Sequence, residues 1–358
     1  MKARYSIVIK IFLSLIAGAA AVLAVHLVLF ISRPPSRVKE YKEVLVTEGS
    51  SFRLVASQLG AAGIITDKET FIVLGKLMGV TRRIRAGFYL FNTGMLPGEV
   101  LDILEKGRII EYQVVVAEGY DMNRVAEAVA EKGLATKADF LKKAADPCYV
   151  HSLGIDGDTL EGYLFPATYF FPKGTTLDGI LKQMVAKYRQ VFNPEMRARA
   201  AELGMTERQV VTLASLIEKE AALDSERFLI SAVFHNRLNK GIPLQCDPTV
   251  IYALRREGRW DGDLTRADLK RKDPYNTYVH KGLPPGPIAS PGRPSIIAAL
   301  YPAAVGYMYF VSKNDGTHYF STTLAQHNHA VMEYQVLPNL SSIESKARRK
   351  PVLARRSR

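Results

Sequence analysis

The chain is poor in cysteine, with only Cys148 and Cys246 among its 358 residues. The two lie far apart and neither belongs to a Cys-x-x-Cys pair, so we expect no disulfide framework and interpret both as free thiols. Low-complexity bulk is also lacking, since 47% of residues are hydrophobic and 23% are charged, as in ordinary globular proteins. This length is sufficient for two or three domains with substantial cores.

The folded body lacks a surplus of basic charge, although the formal net charge is +13. Residues 1–42 hold seven Lys or Arg against one Glu, and residues 345–358 hold seven more without an acid, so residues 43–344 are neutral. A nucleic-acid groove needs basic residues on the body itself, so we expect no nucleic-acid partner. We predict a basic disordered tail over 339–358. Solvation is the simplest interpretation of this tail, and contact with anionic lipid or another acidic surface is the alternative.

Signals for cofactors and metals are absent as well. No Gly-rich phosphate loop opens a predicted helix, which argues against a PLP-dependent lyase with its phosphate cup and Schiff-base lysine. His327 and His329 are two residues apart on a predicted helix, so they point to different faces, and no Cys or Asp accompanies them. We therefore expect no cofactor and no metal site, and interpret His327 as structural or as an edge-of-groove residue.

One long apolar run is present, from Ile11 to Ile31, interrupted only by Ser14 and His26. As a helix it spans roughly 32 Å, which matches a bilayer core. A cleaved signal peptide is the alternative, but no A-x-A site ends the run. We predict a transmembrane helix over 11–31. The short stub 1–10 is expected in the cytoplasm and the large body outside, although basic residues flank both ends of the span.

A weak internal repeat follows a predicted polar linker over 32–43. Glu48-Gly49 and Glu118-Gly119 each join a β-type run to a helical pattern, a Gly turn and a second helix, at an offset of 70 residues. Further along, Tyr89, Phe91, Gly94 and Leu101 correspond to Tyr169, Phe171, Gly174 and Leu181. We predict two βαα modules, the first over 44–107 and the second, with a connecting segment, over 108–200. VTEGSSFRLVASQLGAAGII in the first resembles the LysM glycan-binding module, and a spacer without a ligand is the alternative.

The segment 201–338 is predicted to be an α+β domain with catalytic chemistry. Thr206 can cap a helix that runs to about Ala222, and helical patterning continues to about Asn239. A loop-rich stretch follows, full of Gly, Pro, Asn and Tyr. The predicted elements after it are strands at Tyr307–Val311 and His318–Ser321 and a helix at Gln326–Tyr334. The fold class of the whole chain is therefore expected to be α+β.

Glu220 stands out on the first of these helices. On a helical wheel it projects from an apolar face, with Lys219 opposite and Glu218 at the flank. The other members of that face are Val210, Leu213, Leu216, Ile217 and Ala221. An ionised carboxylate there is costly, which predicts a raised pKa, as a glycosidic general acid requires. A solvated surface charge is the alternative.

Amide, hydroxyl and aromatic side chains are crowded into the fifty residues downstream, on backbone that we expect to be irregular. Such groups match the hydroxyls, acetamido groups and ring faces of sugars. A Pro/Gly-rich segment, GLPPGPIASPG, would form a rigid groove wall. Structural turns are the alternative for each motif taken alone. The predicted substrate-binding residues are Gln245, Asp247, Tyr275, Asn276, Tyr278 and Glu218.

Together, LASLIEKEA, HNRL, LQCDPTVIYAL, YNTY, GLPPGPIASPG, HYFSTTLAQHN and the EGYLFPATY at 161–169 resemble the endolytic murein transglycosylase family (the MltG group). The resemblance covers most of the chain outside the tail. Two positions depart from the family pattern, Ala167 and Cys246. We expect neither to touch Glu220, although Cys246 adjoins the presumed groove.

The resemblance implies a single-pass inner-membrane protein with a LysM-like module and a catalytic domain on the periplasmic side. It places the catalytic glutamate, the second of the Glu-Lys-Glu triplet, at Glu220. The implied reaction cuts peptidoglycan glycan strands between MurNAc and GlcNAc to leave 1,6-anhydro ends, with peptidoglycan synthases as further partners. If the enzyme is instead a hydrolase, Glu218 and Asp247 are the candidates for its second carboxylate. A membrane-anchored, non-catalytic glycan-binding scaffold for wall synthases is the alternative function.

Overall fold

The computed structural model describes residues 2–82 and 84–337, in which helices and short strands are mixed. It opens with one long apolar helix, α1 (Lys2–Ser32), which contains the predicted span. Within the described residues, Ile9–Ser32 is the one helical stretch long and apolar enough to cross a membrane, with a mean hydropathy of 2.5. It is compatible with a single-pass anchor. The predicted tail at 339–358 lies outside the described residues.

The chain divides into two compact units. The first comprises the described residues up to Gln113 together with Phe170–Thr175, and the second comprises the rest. After α1, the first unit contains β1 (Tyr41–Val46), α2 (Phe52–Ala61), α3 (Lys68–Leu77), β2 (Gly87–Asn92) and α4 (Pro97–Glu105).

In the first unit, β1 and β2 pair antiparallel, and caps define where the intervening helices begin. Tyr41 lies opposite Asn92 in the strand pair. The Ser51 side chain accepts from a backbone N–H in the first turn of α2, and the Asp67 side chain does the same for α3. Phe52 and Phe71, one from each helix, stack with ring centroids 5.6 Å apart in the core.

The next elements repeat this order. They are β3 (Glu111–Val116), α5 (Met122–Glu131), α6 (Lys137–Ala144), α7 (Pro147–Ser152), β4 (Ala167–Pro172) and α8 (Leu177–Val191). β3 and β4 form a second two-stranded sheet. β3 and α5 begin 70 residues after β1 and α2, whereas β4 and α8 begin 80 residues after β2 and α4. Tyr89 and its counterpart Tyr169 each donate their hydroxyl to the carbonyl four residues earlier, at 2.7 and 2.6 Å. The two copies therefore share one order of elements, and each ends with a returning strand and a helix. The module bounds expected from the sequence stay a prediction.

The remaining elements build the site. They are α9 (Pro194–Glu202), α10 (Glu207–Glu220), α11 (Arg227–Asn239), α12 (Asp247–Arg256), α13 (Arg293–Leu300), β5 (Tyr309–Ser312), β6 (His318–Ser321) and α14 (Leu324–Val331). α10 packs against α9, α11, α12 and α13. Thr206 caps it through a capping box with Gln209, as its position in the sequence predicts. β5 and β6 pair antiparallel, with Tyr309 opposite Ser321.

Two expectations about this region are wrong. α10 is buried all round from Val210 to Ile217, rather than on one face, because helices surround it. The stretch predicted to be loop-rich contains α12 and α13, so its backbone is helical over Asp247–Arg256 and Arg293–Leu300. Between these two helices the backbone is irregular, as predicted, apart from one short turn of helix at Asp268–Lys270. Both helices have a proline in their first turn, where its missing N–H breaks no helical hydrogen bond. Pro248 and Pro294 thus lie in the first turns of two helices, whereas prolines in this stretch were interpreted from the sequence as part of loops.

Candidate active site

Glu220, the last residue of α10, lines a groove of about 400 Å³ in the second unit. The groove lies between the segment that leads into α12 and the β5–β6–α14 region. Its other lining residues are Arg237, Leu244, Gln245, Asp247, Tyr278, Phe310, Val311, Ser312, His318, His327, Val331 and Gln335. Of the seven predicted site residues, the structure brings four together here: Glu220, Gln245, Asp247 and Tyr278.

The environment of Glu220 favours its protonated form. The side chain is half-buried, and burial is the main cause that raises its pKa to about 7. The negative charge of Asp247 raises the pKa further, while a hydrogen bond from the Cys246 thiol opposes the shift. A carboxyl group with this pKa holds its proton up to near-neutral pH, so it can donate that proton to a bound substrate.

Cys246 therefore touches the acid, contrary to the expectation from the sequence. The residue is fully buried, and burial raises the pKa of its thiol well above the usual value. The thiol thus stays neutral and donates to the Glu220 carboxylate. Both cysteines are free, as predicted, and Cys148 is exposed.

Hydrogen bonds to Thr277 and from Thr249 hold Gln245 and Cys246, the two residues before α12, in place. Gln245 has a φ of 53°, a left-handed conformation that costs a non-glycine residue about 1 kcal/mol or more. Its backbone N–H donates to the Thr277 carbonyl at 3.0 Å, and the next N–H, of Cys246, donates to the Thr277 hydroxyl at 3.0 Å. The Thr249 hydroxyl donates to the Cys246 carbonyl at 2.6 Å. These hydrogen bonds stabilise the strained conformation of Gln245. Gln245 and Asp247 then both line the groove.

Asp247 and Tyr278 form one polar pair in the groove. The Tyr278 hydroxyl donates to a carboxylate oxygen of Asp247. Burial, reinforced by this bond, raises the pKa of Tyr278 far above its ordinary value, so the phenol stays neutral. Asp247 thus presents a second carboxylate close enough to Glu220 to influence its titration.

The sequence did not predict most residues of the opposite groove wall, which is formed by Arg237 and the β5–β6–α14 region. Arg237 is buried and donates to the carbonyls of Met308 and Leu244 at 2.7 and 2.9 Å, which ties the two walls together. His318 pairs with Glu226 at 2.6 Å. His327 stacks on Tyr309 with ring centroids 5.1 Å apart. Arg237, His318 and His327 all belong to motifs quoted above, but nothing local in the sequence indicates that those motifs meet.

The groove wall also contains an unsatisfied nitrogen. The Nδ1 atom of His327 is buried and has no hydrogen-bond partner in the described structure. Burial, with the nearby Arg237 charge, lowers the pKa of this imidazole. The His327 ring is therefore expected to be neutral. It lines the groove, which is one of the two positions expected for it from the sequence.

The structure does not bring the other three predicted residues to this groove. Glu218 forms an ion pair with Arg227 at 3.2 Å, and both side chains are less than a tenth exposed. Glu218 also accepts from the Gly292 N–H at 2.9 Å. The buried Asn276 amide donates to the Arg271 carbonyl at 2.8 Å and so shapes its own loop. Tyr275 lines a different cavity.

No group of three or more His, Cys, Asp or Glu side chains suited to a metal ion occurs in the part of the chain that the structure describes.

A family match, two named relatives and one solved structure are similar to this chain over most of its length. Residues 44–333 match the YceG-like family. The chain is 35% identical over 308 residues to an endolytic murein transglycosylase of Bacillus subtilis (strain 168), over 81% of this chain and 83% of the relative. It is 30% identical over 328 residues to one of Streptococcus pneumoniae serotype 2, over 83% of this chain but 59% of that relative.

A solved structure agrees with these matches. The crystal structure of a yceG-like protein from Listeria monocytogenes is similar with a TM-score of 0.56 and 34% identity, over 81% of this chain and 98% of that one. The resemblance predicted from the sequence motifs is thereby confirmed, and the chain belongs to the YceG-like family.

Proposed function

We propose that this chain is a membrane-anchored endolytic lytic transglycosylase that cuts peptidoglycan glycan strands between MurNAc and GlcNAc, with Glu220 as its acid. One observation carries the proposal. A carboxyl group with a pKa of about 7 stands in an open groove among sugar-matching polar and aromatic groups. The Bacillus subtilis and Streptococcus pneumoniae relatives are endolytic murein transglycosylases, and the chain covers most of the Bacillus relative's length.

The first step uses Glu220 as general acid. Its proton passes to the bridging oxygen as the bond to C1 of MurNAc breaks, which frees the GlcNAc hydroxyl and leaves an oxocarbenium-like sugar. Glu220 becomes a carboxylate. In the second step it takes the proton of the MurNAc C6 hydroxyl while that oxygen bonds to C1. The 1,6-anhydro ring closes, Glu220 is protonated again, and no water is consumed.

One carboxylate is sufficient because the nucleophile belongs to the substrate. Gln245, Asp247 and Tyr278 are proposed to contact the sugar, since they share the groove with Glu220. Glu218 and Asn276 are proposed to hold the frame, because their polar groups are engaged within the protein. If the reaction were hydrolysis, Asp247 would be the second carboxylate, since Glu218 is committed to Arg227.

The scaffold alternative is not favoured. It would be supported by a buried, ion-paired Glu220 away from any groove, and that description fits Glu218 instead.

The anchor gives the proposed enzyme its place. With α1 across the inner membrane and the stub 1–10 in the cytoplasm, the chain after α1 lies on the periplasmic side, where glycan strands are made. Peptidoglycan synthases are then the expected protein partners, and the first module is expected to bind glycan in the manner of LysM. Fusion of a periplasm-active reporter after residue 337 tests the orientation, because a reporter on the cytoplasmic side stays silent.

The decisive experiment is a digest of purified peptidoglycan with the full chain in detergent, read by mass spectrometry. Wild type should release anhydro-ended fragments, and Glu220→Gln should lower turnover by about 10²–10⁴. Glu202→Gln, an exposed carboxylate on α9, is the matched control. Fragments with reducing ends would replace the lytic mechanism with hydrolysis. Binding without cleavage by wild type would restore the scaffold.

A further inference from the structure

A second cavity, of about 330 Å³, lies in the same unit and shares no lining residue with the Glu220 groove. It is lined where three sequence motifs converge: EGYLFPATY supplies Glu161 and Tyr163, YNTY supplies Tyr275, and GLPPGPIASPG supplies Pro285–Pro287. Arg208 lines it at the beginning of α10, and Glu220 stands at the end of that helix. At 1.5 Å per residue the two lie roughly 18 Å apart along the helix.

We propose that this cavity is a remote subsite that binds an N-acetylated sugar unit of the same glycan strand. The proposal rests on the proposed function and adds a second contact with the substrate, several sugar units from the bond that is cut.

The walls have the chemistry for such a ligand. Tyr275, Pro274 and Pro285 are at least partly exposed and offer apolar faces to a sugar ring. Arg208, Arg256 and Asp158 offer donors and acceptors for hydroxyl and acetamido groups. Asp273 balances the Arg256 charge at 3.2 Å, so that guanidinium is not left as a free anion site. A neutral polar ligand therefore suits the cavity better than a strongly charged one.

The polar groups of the cavity are held in place before any ligand arrives. Arg208 donates to the Pro285 carbonyl at 2.8 Å, and the Arg256 guanidinium lies 4.9 Å from the centre of the Tyr275 ring. Gly162 has a φ of 84°, and a Cβ there would lie 2.4 Å from Pro287, so only glycine lets these two segments meet. Pre-organisation of this kind lowers the entropic cost of binding.

Glu161 contributes an uncharged carboxyl group to the cavity lining. Its oxygens accept from the Met122 N–H at 3.0 Å and from the Tyr252 hydroxyl at 3.2 Å. Burial is the main cause that raises its pKa to about 8, so the carboxyl stays protonated at neutral pH. Because protein donors engage both oxygens of this buried carboxyl, we assign Glu161 to the wall of the cavity and not to a second catalytic site.

The test fills the cavity without removing any native side chain. A Cβ at Gly286 would lie 3.4 Å from the Tyr275 hydroxyl and 3.9 Å from the Arg208 guanidinium, so Gly286→Leu projects between them. Gly306→Leu is the matched control, because Gly306 is exposed, lies in the same unit and faces open space. Both changes are made in the full-length Glu220→Gln chain in detergent, which is titrated with peptide-free glycan strands of graded length.

The expected result is about tenfold weaker binding of long strands by Gly286→Leu, with unchanged binding of strands that fill only the Glu220 groove and no effect of Gly306→Leu. Equal weakening at every length, or none at any length, would overturn the subsite. A parallel titration uses strands that carry stem peptides, and an effect seen only with those strands would reassign the cavity to the peptide. If Gly286→Leu does not fold, Tyr275→Ala, which removes the ring face, should weaken long-strand binding severalfold. Failure of every protein to bind any strand would instead overturn the proposed function.

Discussion

Glu218 and Glu220 lie two residues apart at the end of α10, yet they meet opposite environments. The Glu218 side chain is 6% exposed and is paired with Arg227 and with the Gly292 N–H. Glu220 faces the groove, where its neighbours are a thiol and a second carboxylate. Successive helical positions turn by about 100°, so residues i and i+2 point in very different directions. One short triplet thus contains both an ion-paired carboxylate and the proposed proton donor.

The difference shows what makes a carboxylate usable as an acid. A fixed cation stabilises the charged form and removes a carboxylate from proton transfer, whereas burial without a cation stabilises the protonated form. The ion pair of Glu218 and the raised pKa of Glu220 can each be removed or shifted by separate substitutions.

The largest effect is expected from Glu218→Gln. Removing one partner of a buried ion pair leaves Arg227 uncompensated, although Asp224, 2.9 Å from the Arg227 Nε, retains part of the balance. We expect a loss of about 3 kcal/mol in the free energy of unfolding, measured by urea denaturation of the full chain in detergent. Turnover per folded molecule should change little. Glu218→Gln/Arg227→Met, which removes both charges, should recover most of the stability; equal loss in the double variant would mean that the pair is not the cause.

Glu220→Gln should do the opposite and stabilise the fold above neutral pH. The pKa of Glu220 is about 7 in the folded state against an ordinary 4.5, so between these values the folded state holds a proton that the unfolded chain has released. Wild-type stability therefore falls as pH rises through that window, and Gln, which does not titrate, escapes the fall. The expected gain at pH 8 is about 3 kcal/mol in unfolding free energy, falling below about 0.5 kcal/mol at pH 4.5. A gain of the same size at both pH values would show that titration is not its origin.

The helical wheel showed that Glu218 and Glu220 point in different directions, because the direction of a side chain on a helix depends only on local geometry. It did not separate their roles, since Glu218 stayed among the predicted substrate-binding residues. The Thr206 cap was predictable because it too depends on local sequence. The partner of Glu218 was not, since Gly292 comes from a segment 74 residues later. The β5–β6–α14 wall likewise reaches the groove only through tertiary packing. α12 and α13 were missed because first-turn prolines look the same in sequence as prolines in loops.

Asp247→Asn should shift the activity of Glu220 without removing it. Asp247 raises the pKa of Glu220 through its negative charge, so the neutral amide should lower that pKa. The alkaline fall of kcat/KM, which reports the protonated acid of the free enzyme, then moves to lower pH. The amide oxygen can still accept from Tyr278, so the groove wall keeps its bond. Loss of all turnover, with reducing ends in any residual product, would instead make Asp247 a second catalytic carboxylate.

Cys246→Ala should shift the pH profile in the opposite direction. The thiol hydrogen bond stabilises the ionised form of Glu220, so its loss should raise the pKa and extend activity to higher pH. A net hydrogen bond of about 1 kcal/mol corresponds to less than one pH unit, and a thiol is a weak donor. Cys246→Ser keeps a donor at the same place and should restore the wild-type profile, which a mere packing defect would not allow. A profile that is identical in the alanine and wild-type proteins would mean that the bond to Glu220 has no influence on its proton.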